Sequence, residues 1–479
     1  METLYYCGFN GFKQVPSSAN NVTLTSLVPH KSASNTRILD VDICWNYLVV
    51  VQDGSGITKY GLVDGKNGSV ERLTAPPHVE KIVQLSATPR HLLVCTDNGE
   101  CWTHEENKGW RKVHVGAEPT PLIHDEDPAA EAINAPNAES ADTGCLIDIK
   151  PEPAQAESPP KKRLSMDHDV GPGSPSCHVK LVKTSCGDAH NIGLDAQGVA
   201  YSLPSPLDFD VFPANAQHRV TDVVCGKEHC LLLTEHGQVY SWGGGSRGQL
   251  GHGSLNSEEK PRLITALDGM KIKKIAAGGW HSAVISQFDD LYMFGWNESG
   301  QLAQTTNLVR PAECFAAVEK LLMACCTMQP EDTNNPRGDS EDCEVYHKNN
   351  EEVQPPLDPE KDALTCYNAA TSCNDSQSDL VVVQNIPMLV QIPGKSGEEC
   401  QALDVSCGSR HTVVLTSGNQ LWGFGWNKYG QLGLGHTTSK DAVEKIPLPK
   451  GFAKNSVVKM LRCGDWGTAV VISTPPKKS

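Results

Sequence analysis

The residues best equipped for chemistry are histidines that recur at one place in a repeated pattern: His91, His190, His229, His281 and His411. Each follows a short Gly-containing or polar turn and opens an apolar run. Histidines could ligate zinc, yet one per repeat scatters them, and no H-x-x-x-H or C-x-x-C spacing gathers a tetrahedral set. A structural hydrogen bond to the preceding turn is the expected role. The Gly-rich runs Ser241 to Gly245 and Gly248 to Gly251 could cradle a phosphate. They lack the Lys-Ser/Thr ending and the strand-loop-helix setting of a phosphate loop, so their glycines are expected to relieve crowding and permit positive φ. No Gly-x-Ser-x-Gly elbow is present. No catalytic, cofactor-binding or metal residue is assigned, and no enzyme activity is expected.

The elements that carry these histidines repeat almost position for position. Cys407 to Gly433, Cys225 to Gly251 and Ala277 to Ala303 each hold a turn, a His (His411, His229, His281), an apolar run, a polar turn, an aromatic-rich run and Gly-Gln-Leu. His411 to Thr416 and Leu421 to Trp426 are rich in β-branched and aromatic residues around the turn Ser417 to Asn419, which predicts a β-hairpin. A third run with half-buried alternation precedes each turn, at Val220, Val223 and Val224, at Ile272 and Ile275, and at Leu403 and Val405. One repeat is therefore a sheet of three or four antiparallel strands. A sheet this small cannot bury both faces, so copies are expected to stack around an axis.

Weaker copies centred on Tyr47, His91, His190 and Gly467 bring the number of units to seven. The last unit lacks its aromatic strand, and Tyr5 to Gln14 resembles the missing piece. The expected fold is all-β, a seven-bladed β-propeller closed by the N-terminal strand, which removes an open edge.

Composition separates two materials. Residues 117–177 carry twelve acidic against four basic residues and residues 304–385 fifteen against five; with a chain total of -16, about +2 is left for the repeats. Few aromatics and many Pro, Glu, Asp and Ser make both segments expected disordered acidic inserts. The second opens with Phe315, Val318, Leu321, Leu322 and Cys325 at helical spacing, which predicts one short amphipathic helix. The expected division is 1–116 for blades one and two plus the closing strand, 117–177 insert, 178–303 for blades three to five, 304–385 insert, 386–474 for blades six and seven, and 475–479 tail. A near-neutral body without a basic stripe disfavours direct, sequence-specific nucleic-acid binding. No apolar leader or long apolar run is visible, so neither secretion nor membrane spanning is expected. The eighteen cysteines are scattered, several at one repeat position (Cys186, Cys225, Cys407, Cys463), and are expected to be reduced packing residues.

In the first insert, Ile149 to Glu152 fits the pattern of a SUMO acceptor at Lys150, and Lys161, Lys162 and Arg163 resemble a nuclear import signal; charges solvating a linker are the alternative for both. The residue before each repeat His should fall on one face of the ring. That set includes Arg90, Trp280, Arg410 and Trp466, with Trp45 one step away, and Trp and Arg are the types that dominate interfaces. A partner-binding rim is one expectation; filling the gaps between blades is the other.

Tyr240 to Gly245, Ala277 to Ser282 and Gly295 to Ala303, with the three strong repeats, resemble the regulator of chromosome condensation (RCC) repeat family, especially its small members. The resemblance covers the chain apart from the inserts and implies a propeller of RCC type, closed in this fashion. It implies a monomeric, noncatalytic scaffold or adapter, nuclear at chromatin with the cytoplasm as second compartment. The implied partners are a JmjC-type histone demethylase/hydroxylase (a 2-oxoglutarate oxygenase) and histones, in histone lysine methylation and mitotic chromosome segregation. The alternative is the activity of the family's best-known member, guanine nucleotide exchange on a small GTPase of the Ran type. That member's basic N-terminal tail has no counterpart here, and its exchange loops cannot be matched residue by residue. A HECT-type ligase is not expected, because no such domain follows the repeats.

Overall fold

The computed structural model describes residues 2–115, 179–206, 219–304 and 382–475, apart from positions 19, 32–36, 54–55, 64, 107, 204, 395–399, 450–451 and 453–454. Lys150, Lys161, Lys162, Arg163 and the expected helix at Phe315 to Cys325 lie outside the described residues. Seven four-stranded antiparallel sheets make up the described body. Their innermost strands are Ile38–Ile43, Ile82–Ala87, Leu181–Cys186, Val220–Cys225, Ile272–Ala277, Ala402–Cys407 and Val457–Cys463, and each meets the next in a closed circle. This is the seven-bladed β-propeller that the repeats imply.

Burial follows from the stacking. Second strands such as His229–Thr234, His281–Ser286 and Tyr47–Gln52 are buried along almost their whole length, because both faces are covered by neighbouring blades. The apolar core is accordingly divided into seven clusters, one per gap between blades.

The seventh blade is closed from the other end of the chain. Glu2–Phe9 pairs antiparallel with Gly467–Ser473, Tyr6 opposite Ala469, and Thr23–Pro29 adds the outer strand. Leu4 and Tyr6 enter the cluster shared with Ile38, Val41 and Leu48 of blade one. The N-terminus therefore supplies two strands, where the sequence signalled one. Blade three is the irregular one: its outer strands, Ala200–Ser202 and Ser205–Pro206, are short, in keeping with the prolines there.

One expected boundary is corrected. The outer strand of blade five is Val383–Val390, paired with Leu291–Trp296, so the division at 385/386 cuts through a strand. The segment between 304 and 382 thus interrupts blade five after its third strand. Only Gln384 and Val390 of that strand are buried, which left no apolar alternation to read.

Around the axis, side chains of one blade cap backbone N–H groups of the next. Ala87 N donates to Asp42 (2.8 Å), Cys186 N to Ser86 (2.9 Å), Cys225 N to Ser185 (2.9 Å) and Cys463 N to Ser406 (2.8 Å). Ion pairs run between successive blades along the same wall: Lys183 with Asp222, Lys274 with Asp404 at 2.9 Å, and Arg462 with Asp40 at 3.2 Å.

Candidate interaction face

The repeat histidines do not form a site. His229 Nε2 lies 2.8 Å from Ser282 Oγ, His281 Nε2 3.0 Å from Thr412 Oγ1, and His411 Nε2 3.1 Å from Thr468 Oγ1. Each partner is the residue after the repeat position of the following blade. The hydroxyls donate their single protons to the carbonyls of Gln249, Gln301 and Gln431. They can then only accept from the rings, which fixes the proton on Nε2. The three Nδ1 atoms are buried without a hydrogen-bond partner. Burial pushes His229 and His281 down to about 3 and His411 to about 4, so all three are neutral. The expected bond to the preceding turn holds for His91, whose Nδ1 lies 3.1 Å from Thr88 Oγ1. In the three strong repeats the ring instead stitches one blade to the next.

At the turn ahead of the repeat position in blades four to seven the hairpin register brings a second residue alongside. Trp296 N donates to Trp280 O (2.8 Å), Trp426 N to Arg410 O (2.8 Å), Gly244 N to Glu228 O (2.7 Å) and Phe9 N to Trp466 O (2.8 Å). The residue before the repeat position and the residue at the end of the strand paired with it therefore share one end of each of these four blades. A glycine makes this approach possible. At Gly295 (φ 113°) and Gly425 (φ 103°) a Cβ would lie 2.6 and 2.7 Å from the Cα of His281 and His411.

Two clusters result. In the first, the Arg247 guanidinium of blade four stacks over Trp280 (4.8 Å) and Trp296 (4.9 Å) of blade five, and Arg410 of blade six stacks over Trp296 (4.8 Å). Arg410 also pairs with Glu298 at 3.3 Å. Trp280 Nε1 and Arg410 Nε are buried without a hydrogen-bond partner there. In the second, Trp426 lies edge-on to Trp466 (4.7 Å) and Tyr429 (5.2 Å), Tyr429 meets Phe9 (4.9 Å), Phe9 meets Phe12 (5.6 Å), and Phe12 meets Trp45 (5.4 Å). The series runs from blade four through five, six and seven to blade one.

Four of the five expected rim residues take part: Trp280 and Arg410 in the first cluster, Trp466 and Trp45 in the second. Arg90 is exposed on the turn of blade two and joins neither. Sequence reasoning missed Arg247, Trp296, Trp426, Tyr429, Phe9 and Phe12; the aromatic that ends the third strand was the available signal. Most of these side chains are half-buried, and Trp45 is 40% exposed. They fill the gaps between blades and still present area outward, so the two expectations for them are not exclusive. Nearer the axis, Asp465 accepts from Lys227 of blade four (3.1 Å), Ser409 of blade six (2.7 Å) and Trp45 N of blade one (3.2 Å). Among the described residues no three His, Cys, Asp or Glu side chains gather as a metal site, and no helix is long and apolar enough to cross a membrane.

Comparison with known proteins gives the same repeats. A family model described as the regulator of chromosome condensation (RCC1) repeat matches residues 236–285 and 419–471, and a second model of that description matches 220–249, 272–301 and 403–431. The human RCC1 domain-containing protein 1 is 36% identical over 258 residues, 54% of this chain and 57% of that protein. The chain spans less than two thirds of the length of the curated relatives it matches first. Among solved structures, human WBSCR16 superposes with a TM-score of 0.61 at 14% identity, covering 99% of each chain. Prp20p from Saccharomyces cerevisiae, described with its binding to Gsp1p and histones, gives 0.57 at 15% identity over 100% of this chain and 92% of that one. At such identities the likeness is one of fold.

Proposed function

We propose that this chain, which belongs to the regulator of chromosome condensation repeat family, is a noncatalytic platform that binds protein partners through the rim running from Arg247 to Trp45. The observation that carries this is the concentration of half-buried Trp, Tyr, Phe and Arg along one end of five consecutive blades. Aromatic and Arg side chains that are held rigid by stacking lose little entropy on docking, and they are the types that dominate interface energetics. The rim residues Trp45, Trp280, Arg410 and Trp466 are assigned to contact; Arg90 is assigned to the edge of the surface.

Chromatin is the setting the family suggests, with histones and a JmjC-type histone demethylase or hydroxylase as partners and the nucleus as the compartment. The negative balance of the chain sits in residues 117–177 and 304–385, and those acidic segments, rather than the near-neutral repeats, would favour basic ligands such as histone tails. A second reading, nucleotide exchange on a Ran-type GTPase, has behind it the fold shared with a yeast protein described as binding Gsp1p. Fold alone does not carry an activity across. A nucleotide-release assay separates the two: the full chain, added to a Ran-type GTPase loaded with fluorescent GDP, should leave the intrinsic release rate unchanged. A concentration-dependent acceleration would select exchange and overturn the noncatalytic reading.

A further inference from the structure

The seam between blades three and four is the exception among the strong repeats, and the exception carries chemistry. Where Ser282, Thr412 and Thr468 receive the histidine of the preceding blade, blade four has Cys230, and His190 has no hydroxyl to meet there. The residue paired with Cys230 across the hairpin is Cys225. Elsewhere this cross-strand pair is Ala277 with Ser282, Cys407 with Thr412, Cys463 with Thr468 or Cys186 with Asn191. Among the described residues only blade four places a thiol on both its first and its second strand; the paired thiols of blade two, Cys95 and Cys101, lie on its second and third.

The backbone favours joining them. Gly226 N donates to His229 O (2.8 Å), whereas Cys225 N turns away to Ser185 Oγ (2.9 Å). Cys225 and Cys230 are thus a non-hydrogen-bonded pair, the kind in which facing Cα atoms come to about 4.5 Å, inside the range that a disulfide spans. The two Sγ atoms already lie 3.7 Å apart. Access differs usefully between them. Cys225 is half-buried and lines the axial channel, a cavity of about 300 Å³, while Cys230 is fully buried behind it.

We propose that Cys225 and Cys230 form an oxidant-sensitive disulfide. Cys225 Sγ, as thiolate, attacks one oxygen of a hydrogen peroxide molecule that enters the channel and becomes a sulfenic acid; the other oxygen leaves as hydroxide and takes up the proton that the Cys225 thiol released, giving water. Cys230 Sγ then attacks the sulfenic sulfur, the S–S bond forms and hydroxide leaves, taking up the Cys230 proton as a second water. Two thiols are oxidised by two electrons and one peroxide is reduced to two waters. Closure draws Cys225 Sγ from Ser185 O, which it now meets at 3.2 Å, and so loosens a contact between blades three and four. The same strand leads into the turn bearing Lys227 and Glu228, which places the thiol pair directly beneath the interaction face. Burial raises the Cys230 thiol, so closure should accelerate as pH rises.

The experiment needs no variant to begin. The full-length protein is treated natively with hydrogen peroxide, alkylated, and digested with trypsin without reduction; cleavage after Arg219, Lys227 and Arg247 puts the two cysteines on separate peptides. The expected result is a linked pair, 220–227 with 228–247, that disappears on reduction, with alkylation of both thiols lost together. Cys230→Thr, which supplies the hydroxyl found in blades six and seven, should abolish the link and leave Cys225 reactive to dimedone. Persistence of both alkylated thiols, linkage of Cys225 to another cysteine, or oxidation of Cys225 with Cys230 still free would each overturn the proposal.

Discussion

A histidine that looks like a ligand in the sequence is, in this molecule, a neutral donor held between blades. His229, His281 and His411 are wholly buried, and their lowered pKa values carry a consequence for stability. Unfolding restores an ordinary histidine near 6.5, so the unfolded chain binds more protons in the window from about 6.5 down to 3 or 4. Stability is therefore full above pH 6.5 and is lost as pH falls, by about 2 kcal/mol per histidine at pH 5. Asp42 acts in the opposite sense. Burial raises it to about 7, so the folded state keeps a proton that the unfolded state releases, and acidification from pH 7 to 5 returns on the order of 2 kcal/mol. Three groups against one leave a net loss, and the urea midpoint at pH 5.0 should lie clearly below that at pH 7.5. An unchanged midpoint would mean that the rings are not held neutral.

At the scale of the element, ring closure rests on the first strand. Leu4 is fully buried among residues of blades seven and one, whereas Val457, on the inner strand of the same blade, is 56% exposed. Leu4→Ala should therefore cost about 2–5 kcal/mol of global stability, and Val457→Ala well under 1 kcal/mol. Calorimetry distinguishes them: one cooperative transition shifted down for Leu4→Ala supports a closed ring, and an unshifted one would leave the first strand outside it. Much of this level was legible in the sequence. The pattern turn, His, apolar run, aromatic run repeats because every blade solves the same packing problem, and Tyr5 to Gln14 could be matched to the missing strand because its Gly8 fills the role of Gly425. What stayed hidden were outer strands with one solvent-facing side. Thr23–Pro29 and Val383–Val390 alternate too weakly to be seen, and the second lies far along the chain from its partner. The bonds from His281 to Thr412 and from His411 to Thr468 were equally illegible. Their partners are fixed by the rotation between blades, which no local pattern encodes.

At the scale of the whole molecule, rotational repetition turns one local register into a surface. Pairing Trp280 with Trp296, and Trp466 with Phe9, puts like positions at one end of blades four to seven, and sequence then decides which of them carry aromatics. The ion pair between Arg410 and Glu298 is about one third exposed and contributes at most about 1 kcal/mol. If the rim binds as proposed, the stacked rings and guanidinium planes, rather than this ion pair, would carry the affinity. The most direct measurement of the central claim is titration calorimetry of the full chain against a purified JmjC-type oxygenase, with the double variant Trp280→Ala, Arg410→Ala run beside the parent and both melts recorded. We expect binding by the parent, at least a tenfold loss in the variant, corresponding to about 1.4 kcal/mol or more, and a melt that stays cooperative. Equal affinity of parent and variant would contradict the assignment of this face.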